Sequence, residues 1–195
     1  MTLLATPTGS WSLAGGQYLS ANMSTRGEIM AYITANPGVY LRELSEDLGL
    51  SMGVVQYHVW VLIRRGEAEE YRSGRYRRFF GAAKYQEADR MVISLLRQGT
   101  AGRILTLLSG EQSLTHTKLA TILGVTSQAL TWQMKRLRTM GVVRTSPSQN
   151  LAPKSYCLVD GVLQRVKAVV GQMQDRASSQ IQVTSVRRID THCVY

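Results

Sequence analysis

The chain has 195 residues, room for two small domains that each bury a core. Its 23 Lys and Arg residues against 13 Asp and Glu give a net charge of +10, which favours a polyanionic partner. No run of ~18 apolar residues occurs, which excludes a membrane-spanning helix, and the two cysteines, Cys157 and Cys193, suit a reducing interior rather than a disulfide scaffold.

Residues 1–21 are rich in Gly, Ser and Thr and have neither the basic start nor the apolar centre of a signal peptide. They are expected to form a flexible N-terminal arm. Thr25-Arg26-Gly27-Glu28 reads as a capping box, in which a Thr cap and a Glu three residues on satisfy each other's backbone amides. The helix that follows is predicted to reach about Ala35, where Asn36-Pro37-Gly38 ends it. Val39 and Tyr40 are candidates for a short strand. A second helix is predicted over Leu41 to Leu48, with Gly49 as a tight turn and Ser51 as the cap of a third helix ending before Gly66.

After Gly66 the pattern becomes a hairpin, Glu67 to Arg72 and Arg75 to Phe80 around Ser73-Gly74. A two-residue turn there sets Arg72 opposite Arg75, Tyr71 opposite Tyr76, Glu70 opposite Arg77 and Glu69 opposite Arg78. Opposite charges facing each other stabilise by roughly 0.2–1 kcal/mol and like charges destabilise. Arg72 and Arg75 would then lack partners, either because a DNA phosphate or minor groove sits between them or because they splay into solvent. A further helix, Gln86 to Arg97, carries Ala88, Met91, Val92, Leu95 and Leu96 on one stripe.

The pattern then repeats. Leu48-Gly49-Leu50-Ser51 recurs as Leu123-Gly124-Val125-Thr126, 75 positions later, and the same offset pairs Leu44 with Leu119, Leu62 with Leu137 and Gly66 with Gly141. Three helices and a hairpin make a winged helix, so the predicted fold is mainly α with small β-hairpin wings. It comprises two tandem winged helix-turn-helix domains, each with a trailing helix. The expected boundaries are 22–85 for the first domain, 86–98 for a linker helix, 99–160 for the second domain and 161–174 for a C-terminal helix, with 175–195 disordered. The second wing, Gly141 to Leu158, has a neutral turn region, so the two modules are not expected to grip DNA identically.

On the first recognition helix Val55, Val59 and Leu62 form the buried stripe, matched by Leu130, Met134 and Leu137 in the second. At 100° per residue Gly53, Tyr57, Trp60 and Arg64 fall on the opposite side with Gln56 on the flank. Such a face suits a major groove; Tyr57 and Trp60 could instead pack on the wing or a partner. The second helix presents Ser127, Gln128, Thr131, Trp132, Lys135 and Arg138, a more basic set.

Leu44-Ser45-Glu46-Asp47-Leu48-Gly49-Leu50-Ser51, followed by Val55, His58, Leu62 and Arg65-Gly66, resembles ArsR/MarR-type winged-helix transcription regulators. The Asn36-Pro37-Gly38 entry and the Gly74-Arg75-Tyr76-Arg77-Arg78 wing are similar to archaeal members. The resemblance implies sequence-directed binding of double-stranded DNA, with contacts at Ser51, Met52, Gly53, Gln56 and Tyr57. Arg72, Arg75, Arg77 and Arg78 on the first wing are candidates for backbone or minor-groove contact, and Arg64 belongs with Trp60 to the outward face of the first recognition helix. His58 matches a histidine common in the ArsR pattern and reads equally as a packing residue or a phosphate contact. Metal-sensing members carry cysteines near the recognition region, and none stands here, so no metal or cofactor is expected.

The three histidines are scattered, and Gly-x-Ser-x-Gly, Cys-x-x-Cys and nucleotide-binding glycine loops do not occur. The leading expectation is a cytoplasmic, non-enzymatic transcription regulator. A plasmid or viral replication or architectural protein, and a protein-interaction module, remain as alternatives. Val162, Val166, Val169, Val170 and Met173 give the last helix a wide apolar face, from which either a homodimer or packing within the chain would follow.

Overall fold

In the computed structural model, which describes residues 24–74, 76–111, 113–146 and 154–171, the chain divides into two compact units that meet between Arg97 and Gln98. The first unit contains α1 (Thr25–Ala35), α2 (Leu41–Leu48), α3 (Met52–Arg64), β1 (Ala68–Ser73), β2 (Tyr76–Gly81) and α4 (Glu87–Leu96). The second contains α5 (Gly99–Gly110), β3 (Leu114–Thr115), α6 (His116–Leu123), α7 (Ser127–Thr139), β4 (Val143–Ser146) and β5 (Ser155–Leu158). A last helix, α8, runs over 160–171. Both units are winged helix-turn-helix domains.

The repeat read from the sequence is a repeat of backbone conformation. Gly49 ends α2 at φ +65° and Gly124 ends α6 at φ +67°, the left-handed region that glycine enters without steric cost. Ser51 and Thr126 then adopt nearly identical extended angles, and each hydroxyl accepts a backbone amide, Val54 N and Ala129 N. The helices that follow bury Val55, Val59 and Leu62 in one unit and Leu130, Met134 and Leu137 in the other. Each such side chain contributes roughly 1.5–3 kcal/mol as an upper bound. α1 differs from expectation in its cap: Ser24, not Thr25, accepts Gly27 N, at 3.3 Å.

The first wing also departs from expectation, and the reason is steric. Ser73 pairs with Tyr76, Arg72 with Arg77, Tyr71 with Arg78 and Glu70 with Phe79. The loop therefore begins at Gly74, φ +63°, rather than at Ser73. Both common two-residue hairpin turns require positive φ at their first central residue, which a serine resists and a glycine accepts. Partners slide by two positions, so every side chain keeps its face. Ala68 and Phe79 enter the core formed with Ile29, Ile33, Val39, Leu44 and the α3 stripe. On the other face Phe80 meets Tyr71 and Tyr85 edge-on, at centroid separations of 6.2 and 5.7 Å.

Asn36-Pro37-Gly38 ends α1 and ties it to β2. Gly38 N donates to Phe79 O at 2.9 Å, and Phe79 N donates to Val39 O at 2.8 Å, so Val39 lies beside β2 as a single bridge. The equivalent segment in the second unit is β3, in a sheet of order β3-β5-β4. The α4 stripe centres on Val92, Ile93 and Leu95, with Ala88, Met91 and Leu96 only half-buried. In α8, Val162, Val166 and Val169 are buried within the single chain. Either a homodimer or packing within the chain was expected of this face, and three of its five residues are covered in the single chain; Met173 lies outside the described residues. No helix among the described residues is long and apolar enough to cross a membrane.

Gly38 combines φ +77° with crowding: a Cβ there would come within 3.1 Å of Ile93 Cγ2 and 3.2 Å of Phe80 Cζ. Gly38→Ala should destabilise the first unit by about 1–3 kcal/mol. Gly53, helical and with nothing within 4 Å, should tolerate Ala with a gain of up to ~1 kcal/mol. Urea unfolding of the full chain measures both, and equal effects would remove Gly38 as a constraint.

Candidate nucleic-acid interface

Because Val55, Val59 and Leu62 hold one side of α3 inward, the other side faces solvent. Ser51, Met52, Gly53, Gln56, Tyr57, Trp60 and Arg64 are all exposed, Tyr57 by 58% and Trp60 by 52%. Arg64 sits over the Trp60 ring with its guanidinium carbon 4.8 Å from the centroid. That cation–π contact one turn apart orders the end of the helix face. His58 is half-buried, its ring edge-on to Tyr57 and its Nδ1 enclosed without a partner.

The corresponding face of α7 exposes Ser127, Gln128, Thr131, Trp132, Lys135 and Arg138, with Trp132 at 62%. Thr131 Oγ1 donates to Ser127 O at 2.8 Å and lies 3.1 Å from His116 Nε2, which fixes its rotamer. Among the described residues none of Lys135, Arg136 and Arg138 has an acidic partner. Arg136 and Arg138 in the last turn also suit the negative end of the helix dipole.

The first wing is electrostatically quieter than its sequence implies. Glu70 accepts from Arg77 Nε at 2.8 Å and from Arg72 Nε at 3.2 Å, so Arg72 is not the unpaired tip residue expected. The slid register puts Arg72 and Arg77 directly opposite, on one face, with Glu70 neutralising part of their charge. Hydrogen bonds from Arg77, and secondarily from Arg72, hold the Glu70 carboxyl below the usual carboxylate range. Its small stabilisation is therefore present above that range and lost as pH falls through the depressed value. Arg75, the other expected tip residue, lies outside the described residues, as does the turn of the second wing. Glu69 reaches α4 instead of Arg78, pairing with Arg90 at 2.6 Å.

Arg78 is not on the surface. It is 3% exposed, and its Nη1 donates to Gly38 O at 2.7 Å. Burial, then the neighbouring Arg97 charge, lowers its pKa. Arg97 pairs with Glu43 and donates to Pro37 O at 3.3 Å. Burial pushes the Glu43 carboxyl up despite that cation. Tyr32, buried and bonded to Asp47, likewise keeps its phenol proton well above the ordinary value. These groups join α1, α2, β2 and α4 around the Asn36-Pro37-Gly38 turn and offer no charge to a partner. The exposed apolar and aromatic residues that sequence reasoning missed are Tyr40, Val54 in the first turn of α3, Tyr76 at the wing and Ile122 in α6. The signal for Tyr76 was its place beside the turn, beyond the buried base of the hairpin.

With this geometry in view, residues 23–93 match a family model described as an N-terminal HTH domain. Residues 88–144 match one described as winged helix-turn-helix DNA-binding. An uncharacterized HTH-type transcriptional regulator of Methanocaldococcus jannaschii is 26% identical over 126 residues, which are 65% of this chain and 32% of that protein. The chain thus matches about a third of that relative's length. Among solved structures, apo Lactococcus lactis ZitR (C30AH42A mutant) is 22% identical at a TM-score of 0.40, covering 46% of this chain and 67% of its own. The S. aureus MepR–DNA complex is 14% identical at 0.40, covering 54% and 89%. At such scores these two likenesses add nothing to the fold described above.

Arg77 and Arg78 are neighbours in sequence with opposite fates, which a pair of variants separates. Arg78→Ala should cost about 1–3 kcal/mol of stability, because the Gly38 carbonyl loses its buried donor. Arg77→Ala, a surface change, should cost less than about 1 kcal/mol. Urea midpoints of the two full-length variants check this; equal midpoints would contradict the placement of Arg78.

Proposed function

We propose that this tandem winged helix-turn-helix chain is a transcription regulator that binds double-stranded DNA sequence-specifically, without enzymatic activity. In this reading α3 and α7 each enter a major groove, and the β1–β2 wing meets backbone or minor groove through Arg72 and Arg77. The modules span 22–85 and 99–160, with 86–98 as linker helix. The observation that carries the reading is that two helices with matching caps and matching buried stripes each turn an uncommitted face outward. The winged helix-turn-helix DNA-binding match and the archaeal relative's name support it. One chain then supplies what dimeric regulators obtain from two, so a homodimer is not required.

The two faces divide the work. α7 offers Lys135, Arg136 and Arg138 to phosphates, whereas α3 offers Gln56 and aromatic rings to base edges.

Two outcomes follow from that division. If about five cations, drawn from Arg72, Arg75, Arg77, Lys135, Arg136 and Arg138, meet phosphates, log K should fall with log salt at a slope near −4 to −5. Lys135→Gln combined with Arg138→Gln should reduce that slope by about 2. Fluorescence anisotropy on duplexes across a salt series measures it, and a slope near zero would remove DNA binding. Separately, Gln56→Ala and Tyr57→Ala should change which duplexes are selected from a random pool, by roughly 1–3 kcal/mol each. Arg72→Ala should weaken all duplexes alike. An unchanged motif in both α3 variants would overturn the assignment of α3.

A further inference from the structure

The outward face of α3 has no formal charge until its last turn. From Met52 to Ile63 the helix contains no Lys, Arg, Asp or Glu, and Arg64 is held over Trp60 at 4.8 Å. Ahead of that pair the exposed side chains are Met52, Val54, Gln56 and Tyr57. Three are apolar or aromatic and one is an amide. α7, built on the same plan, carries Lys135, Arg136 and Arg138.

Base pairs differ in what they ask of such a face. In the major groove guanine presents two acceptors, matched by Arg or Lys, and cytosine presents a donor, matched by Glu or Asp. Adenine presents one donor and one acceptor, matched by Asn or Gln, and thymine presents a methyl group, matched by apolar contact. The leading half of α3 lacks the Arg, Lys, Asp and Glu side chains that make the specific pairings with G·C. It holds both kinds suited to A·T. His58 does not supply a guanine donor from Nδ1, because that atom is enclosed.

We propose that α3 reads A·T pairs, with Met52, Val54 and Tyr57 against thymine methyl groups and Gln56 against adenine. The occupant of this apolar face is duplex DNA rather than protein, because α3 shares its cap and buried stripe with the cationic α7 on a chain of net charge +10. The proposal rests on the reading that α3 enters a major groove. It goes beyond it by naming the base chemistry and the residues that select it.

The test starts from the duplex that the full chain selects from a random pool. Each thymine is replaced in turn by deoxyuridine, which removes only the methyl group, and each guanine by 7-deazaguanine, which removes the N7 acceptor. The proposal expects one or more deoxyuridine positions to weaken binding by about fourfold each. It also expects that penalty to vanish in at least one of Met52→Ser, Val54→Ser and Tyr57→Ser, all surface changes whose folding is checked by circular dichroism. A deoxyuridine penalty that persists in all three variants would assign the methyl contact elsewhere and overturn the proposal. So would a selected duplex indifferent to deoxyuridine; in both cases sequence-specific binding still stands. A chain that binds all duplexes alike would overturn the proposal and the regulator reading together.

Discussion

A left-handed glycine followed by an extended hydroxyl cap sets the direction of α3 and of α7. Gly49 and Ser51 do this for α3, and Gly124 and Thr126 for α7, at angles that agree within about 10°. The glycine lets the chain reverse within one residue, and the cap satisfies an amide that would otherwise be orphaned as the new helix starts. With the direction fixed, the spacing of Val55, Val59 and Leu62 decides which side is buried. The opposite side has no remaining choice but solvent or a partner. The function proposed for the chain rests on that outward face.

A second constraint holds the wing. The Asn36-Pro37-Gly38 turn lies against β2 through backbone bonds in both directions, and Arg78 and Arg97 each donate to its carbonyls. Buried charges are costly unless paired and hydrogen-bonded, and here Glu43 supplies the acid. A slid strand would leave these charges without their partners. In the second unit the same position is taken by β3, a paired strand without an equivalent ionic cluster among the described residues. The two modules thus share one plan but anchor the wing differently.

Much of this was legible in the sequence because it depends on local chemistry. The bounds of α2 follow from Leu41, Leu44 and Leu48 and from Gly49, and the duplication follows from the 75-residue offset that β3 and Val39 also obey. The wing register was not, because Ser73-Gly74 looks like a turn and only the φ demand at the first loop position rejects it. Arg78 could not be placed either. Alternation along β2 assigns it to a face, but which face α4 covers is a tertiary fact. The outward faces of α3 and α7 were read correctly as exposed, since a stripe of three buried positions determines them. The neutralisation of Arg72 by Glu70 was hidden, because it runs along the strand rather than across the expected pair.

The asymmetry between an apolar, aromatic α3 and a cationic α7 gives the account its central claim, that both modules meet DNA and do so by different chemistry. A combined base- and phosphate-interference footprint of the full chain on its selected duplex tests this most directly. The account predicts two interfering segments. One, at bases, should be abolished by Gln56→Ala with Tyr57→Ala, and the other, at phosphates, by Lys135→Gln with Arg138→Gln. A single segment, sensitive to only one of those pairs, would contradict it.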